Sequence, residues 1–340
     1  MQGWKNPKGD EFFRNQRQRA DRPSENTAVF FYKMMQKIGH EIHKATNAFL
    51  ISSPKNGKPR ILDMCVAPGG FLATALRFNP EAEAVGFSLP VSMGGHKMRM
   101  PESDRVRLTY VDITMLAGDM GLGADDIPPG HPDHDRFVLQ RQLTPRPSPS
   151  EGQEDLFDLC FCDGQVLRTH QRADYREKRE ARRLITTQLA LALGHLRPGG
   201  TMVVLLHKVS AWDTTQLLHT FNQFAKVQLF KSRVEHAKRS SFYMVATQVQ
   251  SRSEEAVGVV QRWRQIWRVA TFGTDEEYTA ALRESLAVER VLEEFGMRLI
   301  ELGEPIWVIQ AQALAKAPFM RYWGPQRVMT SCCVETSEAG

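Results

Sequence analysis

Two periods of apolar residues run along the chain. Short, nearly continuous apolar runs mark buried strands at Ile61-Leu62, Ala84 to Leu89, Val106 to Val111, Leu156 to Cys162 and Thr201 to Leu206. Between them the apolar positions recur every three or four residues. Phe31, Met34, Met35, Ile38 and Ile42 predict a helix over 28–50, and a second helix runs from Gly69-Gly70 through Leu76. Leu184, Ile185, Leu189, Ala192, Leu193 and Leu196 predict a third from Arg172 to Leu196, stopped by Arg197-Pro-Gly-Gly. Strands alternating with helices of this length predict a mostly parallel twisted sheet with helices on both faces. A short helix over 217–224 and two closely spaced strands, 227–231 and 242–249, follow. Their short connection predicts that one of the two is antiparallel, at an edge. From Ser253 the pattern is helical, with Trp263, Ile266, Trp267, Leu282, Leu286, Val291 and Leu292 at helical spacing.

This pattern divides the 340 residues into an α/β domain over 28–250, a helical C-terminal extension over 253–324 and a polar tail, 325–340, expected to be disordered. Residues 1–27 are polar and basic and read as a flexible arm or a loosely held helix. Residues 118–155 interrupt the α/β pattern with an acidic, Pro-rich loop insertion of little core-building capacity. Its His131 and His134 read as parts of a solvated turn, and no metal site is expected.

No run of about 18 apolar residues is present, so no membrane-spanning helix is expected. The first residues lack the apolar stretch of a secretory signal. Five cysteines cannot all pair, and Cys160 and Cys162 alternate with Phe161 in an apolar run that reads as core. A reducing, intracellular setting follows, with cytoplasm, nucleus and mitochondrion equally open.

Charge adds a hint about partners. The net balance is 44 − 39, or +5. Residues 168–183 hold seven Lys/Arg against three acids, and residues 226–239 hold five against one, while 119–155 carry eight acids against three Arg. Positive stretches beside a negative loop suit a nucleic-acid groove, or are solvated helix faces.

The chemistry is concentrated in Asp63-x-x-x-Ala67-Pro68-Gly69-Gly70-Phe71, which ends a strand and opens a helix. A Gly pair there allows close approach of a ligand, and the helix start offers free N–H groups. It lies where open α/β sheets bind ligands, at the carboxyl end of a strand. It is neither a dinucleotide fingerprint nor a P-loop.

The string resembles motif I of the FtsJ/RrmJ-type S-adenosylmethionine-dependent methyltransferases, which methylate ribose 2′-hydroxyls of ribosomal, transfer or cap RNA. The resemblance implies a Rossmann-like methyltransferase fold, S-adenosylmethionine as cofactor and RNA as partner. It assigns cofactor contacts to Asp63, Ala67, Pro68, Gly69, Gly70 and Phe71, to Asp112 after strand three, and to Asp163 as motif IV. The family's acid at the end of strand two is here replaced by Ser88.

The catalytic Lys-Asp-Lys-Glu set of the family maps onto Lys33, Asp163 and Lys208, with Ser241 at the Glu position. Lys37 and Lys44 are alternatives to Lys33 on the same helix, and Asp112 has the alternative of capping the next helix. Arg168, His170, Arg172, Arg176 and Arg239 line an RNA groove or a solvated surface. Trp263, Trp267 and Trp307 read as packing rather than base-stacking platforms.

The same residues support a mechanism on chemical grounds. Methyl transfer from sulfonium to oxygen is an in-line displacement that needs positioning and a base. A free Lys is protonated at neutral pH, but desolvation and neighbouring cations lower its pKa. The missing Glu keeps two other readings open: a small-molecule methyltransferase, and a catalytically weakened cofactor- or RNA-binding protein.

Overall fold

The protein is described by a computed structural model over residues 6–52, 57–143, 156–283 and 287–320. Seven strands form one sheet: β1 (Arg60–Asp63), β2 (Glu83–Ser88), β3 (Val106–Tyr110), β4 (Phe157–Cys162), β5 (Leu196–His207), β6 (Lys226–Phe230) and β7 (Ser241–Val249). Their spatial order is β3-β2-β1-β4-β5-β7-β6. The first five are parallel. This is the Rossmann-like, doubly wound sheet that the alternation of periods predicts. The antiparallel strand is β7, which pairs with both β5 and β6 and so lies inside the sheet; the edge strand is β6. The burial of the two strands gives the reason. β7 is buried over its first six residues, whereas β6 is mostly half-open.

Helices cover both faces. On one lie α2 (Glu25–Thr46) and α3 (Gly70–Phe78), and on the other α4 (Glu180–Gly194) and α5 (Trp212–Phe224). Alternation along β4 serves both. Leu159 and Phe161 join Ile38, Ile42, Phe71 and Leu72, while Cys160 and Cys162 join Leu189, Leu193 and Phe221.

Local capping shifts two helix starts. Ser24 caps α2, its Oγ accepting the Thr27 N–H at 3.3 Å, so the helix begins before residue 28. The helix predicted from Arg172 begins only at Glu180. Upstream of it Arg172 pairs with Glu177 and Arg176 is drawn fully into the protein, which leaves a 3-10 turn at Asp174–Arg176.

Of the two readings of the N-terminal segment, arm or helix, the described part is the helix α1 (Pro7–Asp21), with Pro7 at its start and the Asn6 side chain accepting the Gly9 N–H at 3.2 Å.

The 118–155 stretch builds core after all, in its described part. Met120, Ile127 and Leu143 are buried, and the Asp119 carboxylate accepts the N–H groups of Gln142 and Leu143. His131 sits in no solvated turn: its ring contacts Phe137, Tyr175 and Phe272, and Nε2 meets the Thr271 carbonyl at 3.1 Å. Residues 144–155 and the tail 325–340 lie outside the described residues.

The C-terminal helices α6 (Glu254–Phe272), α7 (Asp275–Arg283) and α8 (Val288–Ala315) share the sheet's core. Trp267 of α6 is fully buried and its Nε1 donates to the Thr114 carbonyl at 3.0 Å, and Trp263 is buried too, both as packing. Trp307 of α8 is 38 % exposed, so it is no core residue. Among the described residues no helix is long and apolar enough to cross a membrane.

Candidate active site

The carboxyl ends of β1, β4 and β5 bring the sequence-marked residues to one edge of the sheet. Asp63 ends β1, Asp163 follows β4, and Lys208 follows β5. Asp63 is buried, and its Oδ1 accepts the Cys65 N–H at 3.2 Å. The turns after β1 and β4 touch: a Cβ on Gly164 would fall 2.2 Å from Cys65 Sγ. Gln188 of α4 holds the second turn, its Oε1 accepting the Gly164 N–H at 2.9 Å.

Burial pushes the Asp163 carboxyl up to about 7. Burial and the neighbouring Asp163 push Asp63 well above the usual carboxylate range. Among the described residues neither carboxyl makes an ion pair. Two carboxyls with no positive partner, next to a helix start, suit a cationic group such as a sulfonium. The residues therefore fit S-adenosylmethionine.

The glycine pair also meets a packing requirement. Gly69 has φ +100, a conformation that glycine adopts without strain, and a Cβ on it would meet Met100 Cβ at 2.8 Å. A Cβ on Gly70 would fall 2.5 Å from Met35 Cβ and 2.6 Å from the Tyr32 carbonyl of α2. Both glycines thus let protein pack on protein, and they bring the loop after β2 and helix α2 against the motif. The Pro68 carbonyl accepts the N–H groups of Arg99 and Met100 at 3.1 and 3.2 Å. Phe71 is fully buried, stacked on Phe161 and edge-on to Tyr243, so its side chain serves the core and not the cofactor. Ala67 is half-open beside these turns.

At the β2 and β3 ends the picture is mixed. Ser88 is buried, with its Oγ 3.5 Å from the Leu89 carbonyl. Asp112 caps a 3-10 turn, as its alternative reading has it. Its Oδ1 accepts from Thr114 N and Oγ1 at 3.0 and 2.8 Å, and its Oδ2 accepts from Arg176 Nη1 at 3.1 Å.

Lys208 is exposed and adopts φ +50, unusual for a residue with a side chain. Such backbone costs on the order of 1–3 kcal/mol and clusters at functional sites. Its N–H donates to the Ser240 carbonyl at 3.0 Å, and His207 pairs with Ser241 across the sheet. The family-Glu position therefore does lie beside Lys208. Lys33 is exposed on the turn of α2 that abuts Gly70. Lys37, its alternative, pairs with Glu235 at 2.9 Å.

The proposed groove residues split. Arg168 is exposed and paired with Asp21; Arg172 is mostly buried and paired with Glu177; Arg239 is half-buried and its Nε donates to Gln16 at 3.0 Å. His170 is half-buried, and burial pushes its imidazole down to about 4. Arg176 is fully buried among Asp112, Asp133 and Glu180, which removes it from any RNA surface.

One residue escaped the sequence reading. Lys231, after β6, is buried, and its Nζ donates to the carbonyls of His236, Arg239 and Ser241 at 3.4, 2.7 and 2.6 Å. Burial draws its ammonium down to about 8. It knits the loop that places Ser240 and Ser241. A Lys ending an apolar run reads as a strand terminus, and nothing local announces its three carbonyls. Gln188 did leave a signal, as a polar residue among the apolar positions of α4.

Comparison with known proteins agrees with this geometry. The sequence profile of the FtsJ-like methyltransferase family matches residues 37–249, a span that begins just after Lys33. No curated protein sequence matches the chain. Among solved structures, an O-methyltransferase family protein from Burkholderia thailandensis is 12% identical with a TM-score of 0.32, the match covering 67% of this chain and 61% of that one. The N-methyltransferase NodS from Bradyrhizobium japonicum WM9 is 11% identical, TM-score 0.35, with 63% and 96% covered. CalO1, a methyltransferase in calicheamicin biosynthesis solved with SAH bound, is 12% identical, TM-score 0.30, with 62% and 55% covered. Those likenesses are too low to add to the family match. With the sheet order, the motif I turn and a profile match over most of the α/β domain in agreement, the chain belongs to the FtsJ-like methyltransferase family, whose cofactor is S-adenosylmethionine.

Proposed function

We propose that this S-adenosylmethionine-dependent methyltransferase acts on a ribose 2′-hydroxyl of RNA. The observation that carries the reading is the arrival of Asp163 and Lys208 at the ends of the adjacent strands β4 and β5, on the edge that holds the motif I turn. Bound S-adenosylmethionine supplies an electrophilic methyl group on a sulfonium. Asp63 and Asp163 would hold the positive end of that group and would ionise beside it. Lys208 would take the proton that the ribose hydroxyl loses as its oxygen is methylated and S-adenosylhomocysteine departs. Lys33 holds the substrate from the α2 side. Ser241 replaces a charged family residue, so the positive wall around Lys208 lacks an acid on its β7 side, which suits a polyanionic substrate.

The test is transfer of labelled methyl from S-adenosylmethionine to total cellular RNA, followed by alkaline hydrolysis. A 2′-O-methyl group blocks cleavage at its own nucleotide, so label in alkali-stable dinucleotides is the expected result. Label in mononucleotides would mean base methylation. Cofactor binding without RNA labelling would overturn the RNA reading and favour a small-molecule acceptor.

A further inference from the structure

Helix α1 contributes almost nothing to the core, Gly9 being its one buried residue. A short polar helix of this kind is not stable alone. It is nevertheless held along its length. At its start Asn6 Nδ2 donates to the Phe319 carbonyl at 3.2 Å, and Phe12 and Phe13 pack on the Phe319 ring. In its middle Gln16 accepts from Arg239. At its end Asp21 pairs with Arg168, and its carbonyl accepts from Thr169 Oγ1 at 3.2 Å. Arg168 and Thr169 belong to the loop after β4, and Arg239 to the loop before β7. Those loops flank the end of β5, where Lys208 sits. Helix α1 therefore spans the mouth of the site.

The charges of this span are unbalanced. Residues 7–22 hold five Lys/Arg (Lys8, Arg14, Arg17, Arg19 and Arg22) against Asp10, Glu11 and Asp21; the two unengaged acids sit in the first turns, Asp21 is taken by Arg168, and Arg17, Arg19 and Arg22 in the second half are exposed. Arg17 lies close enough to Arg239 for the two guanidiniums to repel; with burial as the larger cause, this holds Arg239 below the usual guanidinium range. Lys208, Lys231 and Arg239 likewise push on His207 from the other side of the mouth, after burial. Like charges held together raise the local potential and favour an anionic ligand. A rigid helix with Arg14 and Arg17 one turn apart offers two phosphate contacts on one face.

We propose that α1 is a phosphate-gripping wall, with Arg14 and Arg17 on the helix that Arg239 holds at the mouth, gripping backbone phosphates of single-stranded RNA on either side of the target ribose. This rests on the RNA reading of the site. Each phosphate contact to a single strand steepens the slope of log K against log salt concentration by about 0.7.

The experiment is fluorescence anisotropy of a labelled single-stranded RNA with the full chain over a KCl series, for the wild type and for Arg14→Ala/Arg17→Ala. Cofactor affinity is measured in parallel by calorimetry. We expect the double variant to flatten the slope by about 1.4, two contacts at about 0.7 each, with cofactor affinity unchanged. The matching Arg14→Lys/Arg17→Lys variant is expected to keep the slope, since a phosphate contact needs the charge. An unchanged slope in the alanine variant, with tight RNA binding retained, overturns the role of α1 alone. Absence of salt-dependent RNA binding by the wild type overturns the RNA reading and this proposal together.

Discussion

Two charged regions of the molecule are built on opposite plans. Around Arg176 opposite charges meet. The guanidinium, fully buried, lies 3.1 Å from Asp112, 3.6 Å from Asp133 and 3.6 Å from Glu180, and Arg183 takes Glu180 at 2.8 Å and Thr271 at 3.0 Å. This network ties the loops after β3 to α4 and α6. At the mouth like charges meet instead: Asp63 with Asp163 on the β1–β4 side, and Lys208 and Arg239 around His207 on the β5–β7 side, backed by the buried Lys231 that three carbonyls hold. Buried charges that find partners are costly to break apart, because removing one leaves the others uncompensated. Charges left facing their own kind are unfinished, and a ligand completes them: a cation on the carboxylate side, an anion on the other. The difference separates residues that shape the scaffold from those that meet substrate and cofactor.

Substitutions break the comparison at each end. Lys208→Ala is expected to lower methyl transfer by about 10²–10⁴-fold, the range for a lost general base, with cofactor affinity unchanged by calorimetry. Loss of cofactor binding as well would move Lys208 into the scaffold class. Arg176→Met takes from Asp112 the guanidinium it pairs with and leaves Asp133 and Glu180 to Arg136 and Arg183 alone, so chemical denaturation should show a loss of about 3–5 kcal/mol. A loss under about 1 kcal/mol would show that the network is not a keystone of the fold.

Asp163→Asn tests the unfinished pair through pH. The folded carboxyl titrates near 7 against an ordinary value of 3.8. Between those values the folded state holds a proton that the unfolded state has released, so this group costs the ligand-free protein stability as pH rises through that window. The stability advantage of Asp163→Asn over wild type should therefore grow from about pH 4 to about pH 7 and then level off. The wild type should also release protons on cofactor binding in that window, read from calorimetry in buffers of different ionisation enthalpy, and the variant fewer. An advantage independent of pH would mean that Asp163 is ionised throughout.

Ser241→Ala is the smallest change. Ser241 offers its carbonyl to Lys231, and any residue provides that. Methyl transfer should change by less than about tenfold, or 1.4 kcal/mol. A larger loss would give the hydroxyl a role at the site.

Much of this was written locally. Strand and helix periods, the Gly69-Gly70 turn and the charged residues that end apolar runs, Asp163 and Lys208, depend on neighbours within a few residues, so the sequence by itself determined the doubly wound sheet and the edge where the site forms. What lay in contacts between distant segments was decided only by tertiary structure. The place of β7 inside the sheet depends on pairing with both β5 and β6. Arg176 resembled a surface charge until Asp112 and Asp133, from two distant loops, joined its neighbour Glu180 around it. Lys231 became a buried clamp because the chain returned to offer it three carbonyls. Helix α1 crosses the mouth because Phe319, some three hundred residues away, and the loops around β5 hold it there. Periodicity records which face of an element is buried, whereas the partner of a buried charge comes from whichever segment the fold brings alongside it.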